Sequence, residues 1–132
     1  DDMGIVIGGL EHINYHEMRK CCWASILTVM YDANEIGKMR VRNLDEENEY
    51  ALLLNISDKS DCFLLDDCLA MQRSYKHLLS PLHLIEKIRW RYKVFHIEED
   101  KAPIVAAYMA TRNLYGGLIK KIKYVERNKY AR

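Results

Sequence analysis

Apolar positions recur along this chain with two different periods. Between Tyr15 and Ala33, Met18, Cys22, Ile26, Val29 and Ala33 fall at i, i+4, i+8, i+11 and i+15, while Glu17, Cys21, Ser25, Thr28 and Asp32 make the opposite stripe. That spacing predicts one amphipathic helix. Asn14, followed three residues later by Glu17, predicts its N-cap with a capping-box partner, and Gly37 a stop just past its end. A second helix is predicted from Asp61, with Leu64, Cys68, Met71, Tyr75 and Leu78 on one stripe and Asp66, Asp67, Arg73 and His77 facing away. Pro81 disfavours helical geometry at Ser80 and closes it.

Elsewhere the period is two. Lys38 to Leu44 alternates, a polar turn follows at 45–48, and Tyr50 to Ile56 is apolar, which predicts a β-hairpin. A helix from Asp45 is the competing reading, because Glu46, Glu47, Ala51 and the leucines favour helix. In 87–94, Ile88, Trp90, Tyr92 and Val94 alternate with Lys87, Arg89, Arg91 and Lys93, the pattern of a half-buried antiparallel strand with a basic outer face. Ile104 to Met109 reads as a third strand, 113–117 as a tight glycine turn, and Leu118 to Val125 as a fourth strand. The expected fold is therefore α+β: two amphipathic helices packed on a mainly antiparallel sheet, in the order helix, hairpin, helix, three strands.

A chain of 132 residues fits one domain, 1–132, with 1–13 as an arm and 126–132 as a loose tail. The 49% hydrophobic and 30% charged content is that of an ordinary globular protein. Charges interrupt every apolar run before bilayer-spanning length, so no membrane partner is expected. The start at Asp1 and Asp2 does not have the form of a signal peptide. Four cysteines, at 21, 22, 62 and 68, lack the spacing of a disulfide framework and suit reduced thiols in a cytoplasmic setting.

The net charge of +1 conceals a polarity. Residues 41–68 carry eight acids against two bases, whereas 73–96 carry six bases against Glu86, and 112–132 seven bases against Glu126. Such asymmetry marks an anionic partner or two faces of one fold that attract each other.

Candidate chemistry is sparse. Cys22-Trp23 followed by a helical pattern resembles the nucleophile segment of papain-like cysteine peptidases; the resemblance implies Cys22 as nucleophile and His83 or His96 as its base. It spans about ten residues, and an upstream oxyanion-stabilising Gln is missing, since the single Gln is Gln72. Placed two turns inside a helix on its apolar stripe, Cys22 is expected to be a packed, unreactive thiol. Histidines at 12, 16, 77, 83 and 96 match no metal-ligand spacing, and the acids at 45–47 and 66–67 read as solvated runs. No metal or cofactor is expected.

The basic positions are more informative. If 87–94 and 118–125 share a sheet, Lys87, Arg89, Arg91 and Lys93 stand beside Lys121 and Lys123 on one open face, suited to an acidic protein surface or a nucleic-acid backbone. The expected function is a non-enzymatic interaction or regulatory module using that face, with self-association through the acidic 41–68 segment as a further option. The alternative is a small cysteine hydrolase acting through Cys22.

Overall fold

A computed structural model describes residues 10–44, 46–65 and 81–124 of the chain, and among them the architecture is helical. Residues 1–9 of the expected arm 1–13, most of the second predicted helix (66–80) and the tail at 126–132 lie outside the described residues, while residues 12–13 of that arm form a strand. The elements are β1 (His12–Ile13), α1 (Tyr15–Lys20), a short 3-10 turn (Ile26–Thr28), α2 (Ala33–Ile36), α3 (Asn48–Lys59), β2 (Cys62–Phe63), α4 (Pro81–Lys93), a π-helical segment (Val94–Glu98) and α5 (Pro103–Tyr124). The described β structure is one antiparallel pair, with His12 opposite Phe63 and Ile13 opposite Cys62. The expected α+β sandwich is thus overturned.

The start of α1 follows the sequence closely. The Asn14 side chain accepts a hydrogen bond from the Glu17 amide at 2.9 Å, satisfying one of the donors that a helix start leaves orphaned. The end does not follow it. Cys21 is already extended, at φ −157°, so α1 spans six residues rather than reaching Ala33. Beyond it Ser25 caps the 3-10 turn, whose Ile26, Thr28 and the following Val29 are β-branched and gain little from helix. The next helical turn, α2, does stop at Gly37, whose φ of +79° favours glycine.

The predicted hairpin is replaced by α3, the competing reading. Its inner face buries Tyr50, Ala51, Leu53, Leu54, Ile56 and Ser57. The basic strand is replaced by α4. Alternation over 87–94 also contains the helical set Ile88, Tyr92 and Phe95 at i, i+4 and i+7, and Pro81 is pre-organised for a first helical position. The third and fourth strands and the turn between them are one 22-residue helix, α5. Pro103 opens it, and Lys120, Lys121 and Lys123 sit near its C-terminal end, where cations complement the dipole.

Gly116 explains how α5 seats on the rest. A Cβ at that position would be driven into the carbonyl oxygen of Lys20 and would lie 3.3 Å from Cys21 Cβ, whereas Gly117 has nothing within 4 Å. The first glycine therefore permits close helix approach and marks no turn. The core joins Met18 of α1, Tyr50, Leu53 and Leu54 of α3, Val94 and Phe95, and Ala106, Met109 and Ala110 of α5. Tyr50 meets Phe95 edge-on, with centroids 6.1 Å apart. The Tyr50 hydroxyl donates to the Met18 carbonyl (2.9 Å) and accepts from Asn113 Nδ2 (2.7 Å), so this buried polar pair is satisfied.

Candidate functional site

Local structure first decides the fate of the thiols. Cys22 lies two residues past α1, outside any helix or strand, half-buried. Its Sγ donates to the Ala24 carbonyl at 3.3 Å. Burial pushes its pKa up, with the Arg91 and Lys120 charges pulling the other way without reversing it. Cys21, placed by its spacing on the stripe opposite the apolar one, is buried, and burial raises its pKa as well. His96, the candidate base, has its Nδ1 2.8 Å from the Lys101 carbonyl and stacks on Tyr92 at 5.3 Å. His83 pairs with Glu86 at 3.3 Å. The Cys22 thiol sits in a different setting from the one expected, a carbonyl-bonded loop instead of the middle of a helix, and its raised pKa disfavours the thiolate.

The six basic positions do not form a sheet face. Along α4, Lys87 and Arg91 are four apart and share one side, while Arg89 and Lys93 share nearly the opposite side. Arg91 turns inward: its side chain is only 13% exposed, Nη1 lies 3.1 Å from Glu47 Oε2, and the guanidinium sits 3.8 Å from the centroid of the Tyr50 ring. Lys93 Nζ lies 4.4 Å from the Trp90 ring centroid. Lys87 and Arg89 are exposed on α4, Lys123 is exposed in the last turn of α5, and Lys121 belongs to that helix. The charge polarity of the sequence is thus used in part internally, by the Glu47–Arg91 pair.

A different surface stands out, on α5. Ile104, Tyr108, Thr111, Tyr115, Leu118 and Ile122 follow one another at intervals of four, three, four, three and four. This is the seam spacing of a helix that packs against another helix. All six are exposed, Ile104 and Ile122 at 86%, Tyr108 at 64% and Tyr115 at 65%. The opposite side of the same helix is the core side, carrying buried Ala106, Met109, Ala110 and Asn113. The one polar member of the seam is internally satisfied, since Thr111 Oγ1 donates to the Ala107 carbonyl at 3.0 Å. Arg112, Lys120, Lys121 and Lys123 are the ionised residues of α5, which has no Asp or Glu. Lys120 is engaged, donating to the Cys22 and Trp23 carbonyls at 2.9 and 3.0 Å.

The sequence contained the signal for this seam. It was hidden because Gly116 and Gly117 read as a turn that splits the helix in two.

Two concavities accompany these surfaces. One, of about 410 Å³, is open and lined by Glu46, Glu47, Asn48 and Glu49. The other, of about 60 Å³, is lined by His16, Arg19, Met109 and Arg112. Among the described residues no three His, Cys, Asp or Glu side chains are grouped to hold a metal, and no helix is long and apolar enough to cross a membrane. Comparison with known protein families, with curated proteins and with solved structures gives no match. The functional reading therefore rests on geometry.

Proposed function

We propose that this protein is a helix-docking interaction module, and that the exposed seam of α5 receives an amphipathic helix whose flanks are acidic. The observation that carries this is a five-turn run of exposed apolar residues at seam spacing, opposite the core face of the same helix. Contiguous exposed apolar surface of this kind marks interaction sites in stable proteins.

Magnitude and charge together favour the acidic occupant. Burying a large apolar side chain contributes about 1.5–3 kcal/mol, so covering the exposed parts of Ile104, Tyr108, Tyr115 and Ile122 contributes roughly 4–9 kcal/mol. Association costs about 4–15 kcal/mol, so the seam alone gives a marginal complex. Acidic flanks facing Arg112 and Lys123 would add attraction and fix register. A second copy using the same helix brings only like charges, because α5 lacks acids. A nucleic-acid backbone would meet an apolar face, with the basic residues of α4 divided between two sides.

The test places a photo-crosslinking amino acid at Tyr108, at Tyr115 and, as a control, at exposed Asp58 on α3. Crosslinks from both tyrosine positions are expected on one segment of one protein, with apolar heptads flanked by Asp and Glu. The matching synthetic peptide should bind the intact chain and lose at least about tenfold in affinity on Tyr115→Glu, the effect expected of an aromatic anchor. Crosslinks to a second copy, to nucleic acid or to lipid, or none above the Asp58 control, would overturn the reading.

A further inference from the structure

The smaller concavity points to a separate site. His16 and Arg19 lie three apart on α1, and α5 brings Arg112 and Met109 to the same notch. Three of the four lining side chains are basic. Arg19 is held from several directions: Nη2 donates to Met109 Sδ at 3.1 Å, the guanidinium carbon sits 5.2 Å from the Tyr15 ring centroid, and the backbone carbonyl accepts from Asn113 Nδ2 at 3.1 Å. Its Nε is nonetheless buried and has no hydrogen-bond partner. No carboxylate pairs with Arg19 or Arg112 among the described residues. Glu17, the nearest acid in sequence, pairs with Lys20 at 2.6 Å, and Glu99 accepts from the Tyr15 hydroxyl.

We infer that this notch is a small-oxyanion site, taking a phosphate or carboxylate group between Arg19, Arg112 and His16. Neither guanidinium has a carboxylate partner among the described residues, and an oxyanion in the notch offsets their positive charge while accepting charge-assisted hydrogen bonds. The volume of about 60 Å³ suits one such group. It is several times the ~10–15 Å³ that a water requires and far below the ~300 Å³ of a site for a drug-sized ligand. The ligand is thus the anionic group of something larger or a free ion. The site shares Arg112 with the flank of the docking seam, but its test with free anions does not rest on the helix-docking reading.

The experiment titrates the intact chain with inorganic phosphate and, separately, with acetate, followed by 15N NMR of backbone amides and arginine Nε–H groups. Saturable shifts are expected at Arg19 Nε–H, Arg112 Nε–H and the amides around His16, with weak affinity because solvent screens charges at a partly open site. Saturation by phosphate alone assigns a phosphate-bearing ligand, by acetate alone a carboxylate, and by both a general oxyanion site. Arg112→Gln and His16→Gln, both at exposed positions, should each weaken binding at least threefold more than Arg89→Gln on α4. Failure of both anions to saturate, or equal weakening by Arg89→Gln, would overturn the site.

Discussion

Two adjacent glycines in α5 should respond to the same substitution with opposite sign. Alanine is favoured over glycine by about 0.8–1.0 kcal/mol in a helix interior, so Gly117→Ala, with open space around it, should stabilise the protein by about that amount. Gly116→Ala carries the same helix gain, yet its methyl would enter the carbonyl oxygen of Lys20 and press on Cys21. Both obstacles are backbone or buried side chain, so relief requires α5 to shift away from the end of α1. Overpacking of this kind costs about 1–3 kcal/mol or more. The displacement also strains the contacts of Met18, Tyr50 and Asn113, which tie α1, α3 and α5 together. The net effect of Gly116→Ala is a loss of about 1–2 kcal/mol, and the two variants should differ by roughly 2–3 kcal/mol. Urea denaturation read by far-UV circular dichroism measures this directly, with unchanged slopes required for the comparison. Equal stability of the two variants would refute the close seating of α5 on the α1 terminus and, with it, the assignment of core and seam faces.

The remaining predictions concern buried polar groups and pH. Tyr50→Phe removes a donor to the Met18 carbonyl and an acceptor for Asn113 Nδ2, and should cost about 1–3 kcal/mol in the same denaturation assay, with secondary structure retained. Arg91→Met leaves Glu47 without its ion pair and Tyr50 without its cation, and should cost about 2–4 kcal/mol; the double variant with Glu47→Gln should recover part of that in a double-mutant cycle. Cys21, Cys22, Cys62, Tyr15 and Tyr50 all have pKa values raised, chiefly by burial. Each holds its proton more tightly folded than unfolded, so stability is full below about pH 8 and falls as pH rises past the unfolded thiol value of about 8.5, by up to about 1.4 kcal/mol per pH unit per group. Thermal melts between pH 7 and 10.5 check the direction, and a melting temperature that rises with pH would refute it. Iodoacetamide at pH 8 should modify half-exposed Cys62 ahead of Cys21, with Cys21 protected until unfolding, as read by mass spectrometry of peptides.

What was legible in the sequence was chiefly local. The Asn14 cap and the start of α1 at Tyr15 depend on groups within a few residues of one another, so their chemistry is complete in the chain itself, whereas Gly37 stops the short α2 and not the long helix expected from Tyr15. The charge polarity was also visible, and the Glu47–Arg91 pair is its partial internal use. The seam of α5 was present as a heptad but obscured by its glycine pair. The location of Cys22 was not legible, because the end of α1 depends on neighbours that the local pattern does not contain.

The sequence by itself determined where a helix begins, that enough apolar surface exists for a core, and how charge is distributed. Tertiary structure decided which secondary structure the ambiguous segments adopt. An alternating stretch such as 87–94 contains i, i+4 pairs that serve a helix equally well, and the choice falls to what can be buried: from the helical backbone Val94 and Phe95 both pack into the Tyr50 core. Likewise Gly116-Gly117 fits a turn or a close helix contact, and only the Lys20 carbonyl lying across from it selects the contact. Packing partners distant in the chain carry that information, and a one-dimensional period does not encode them.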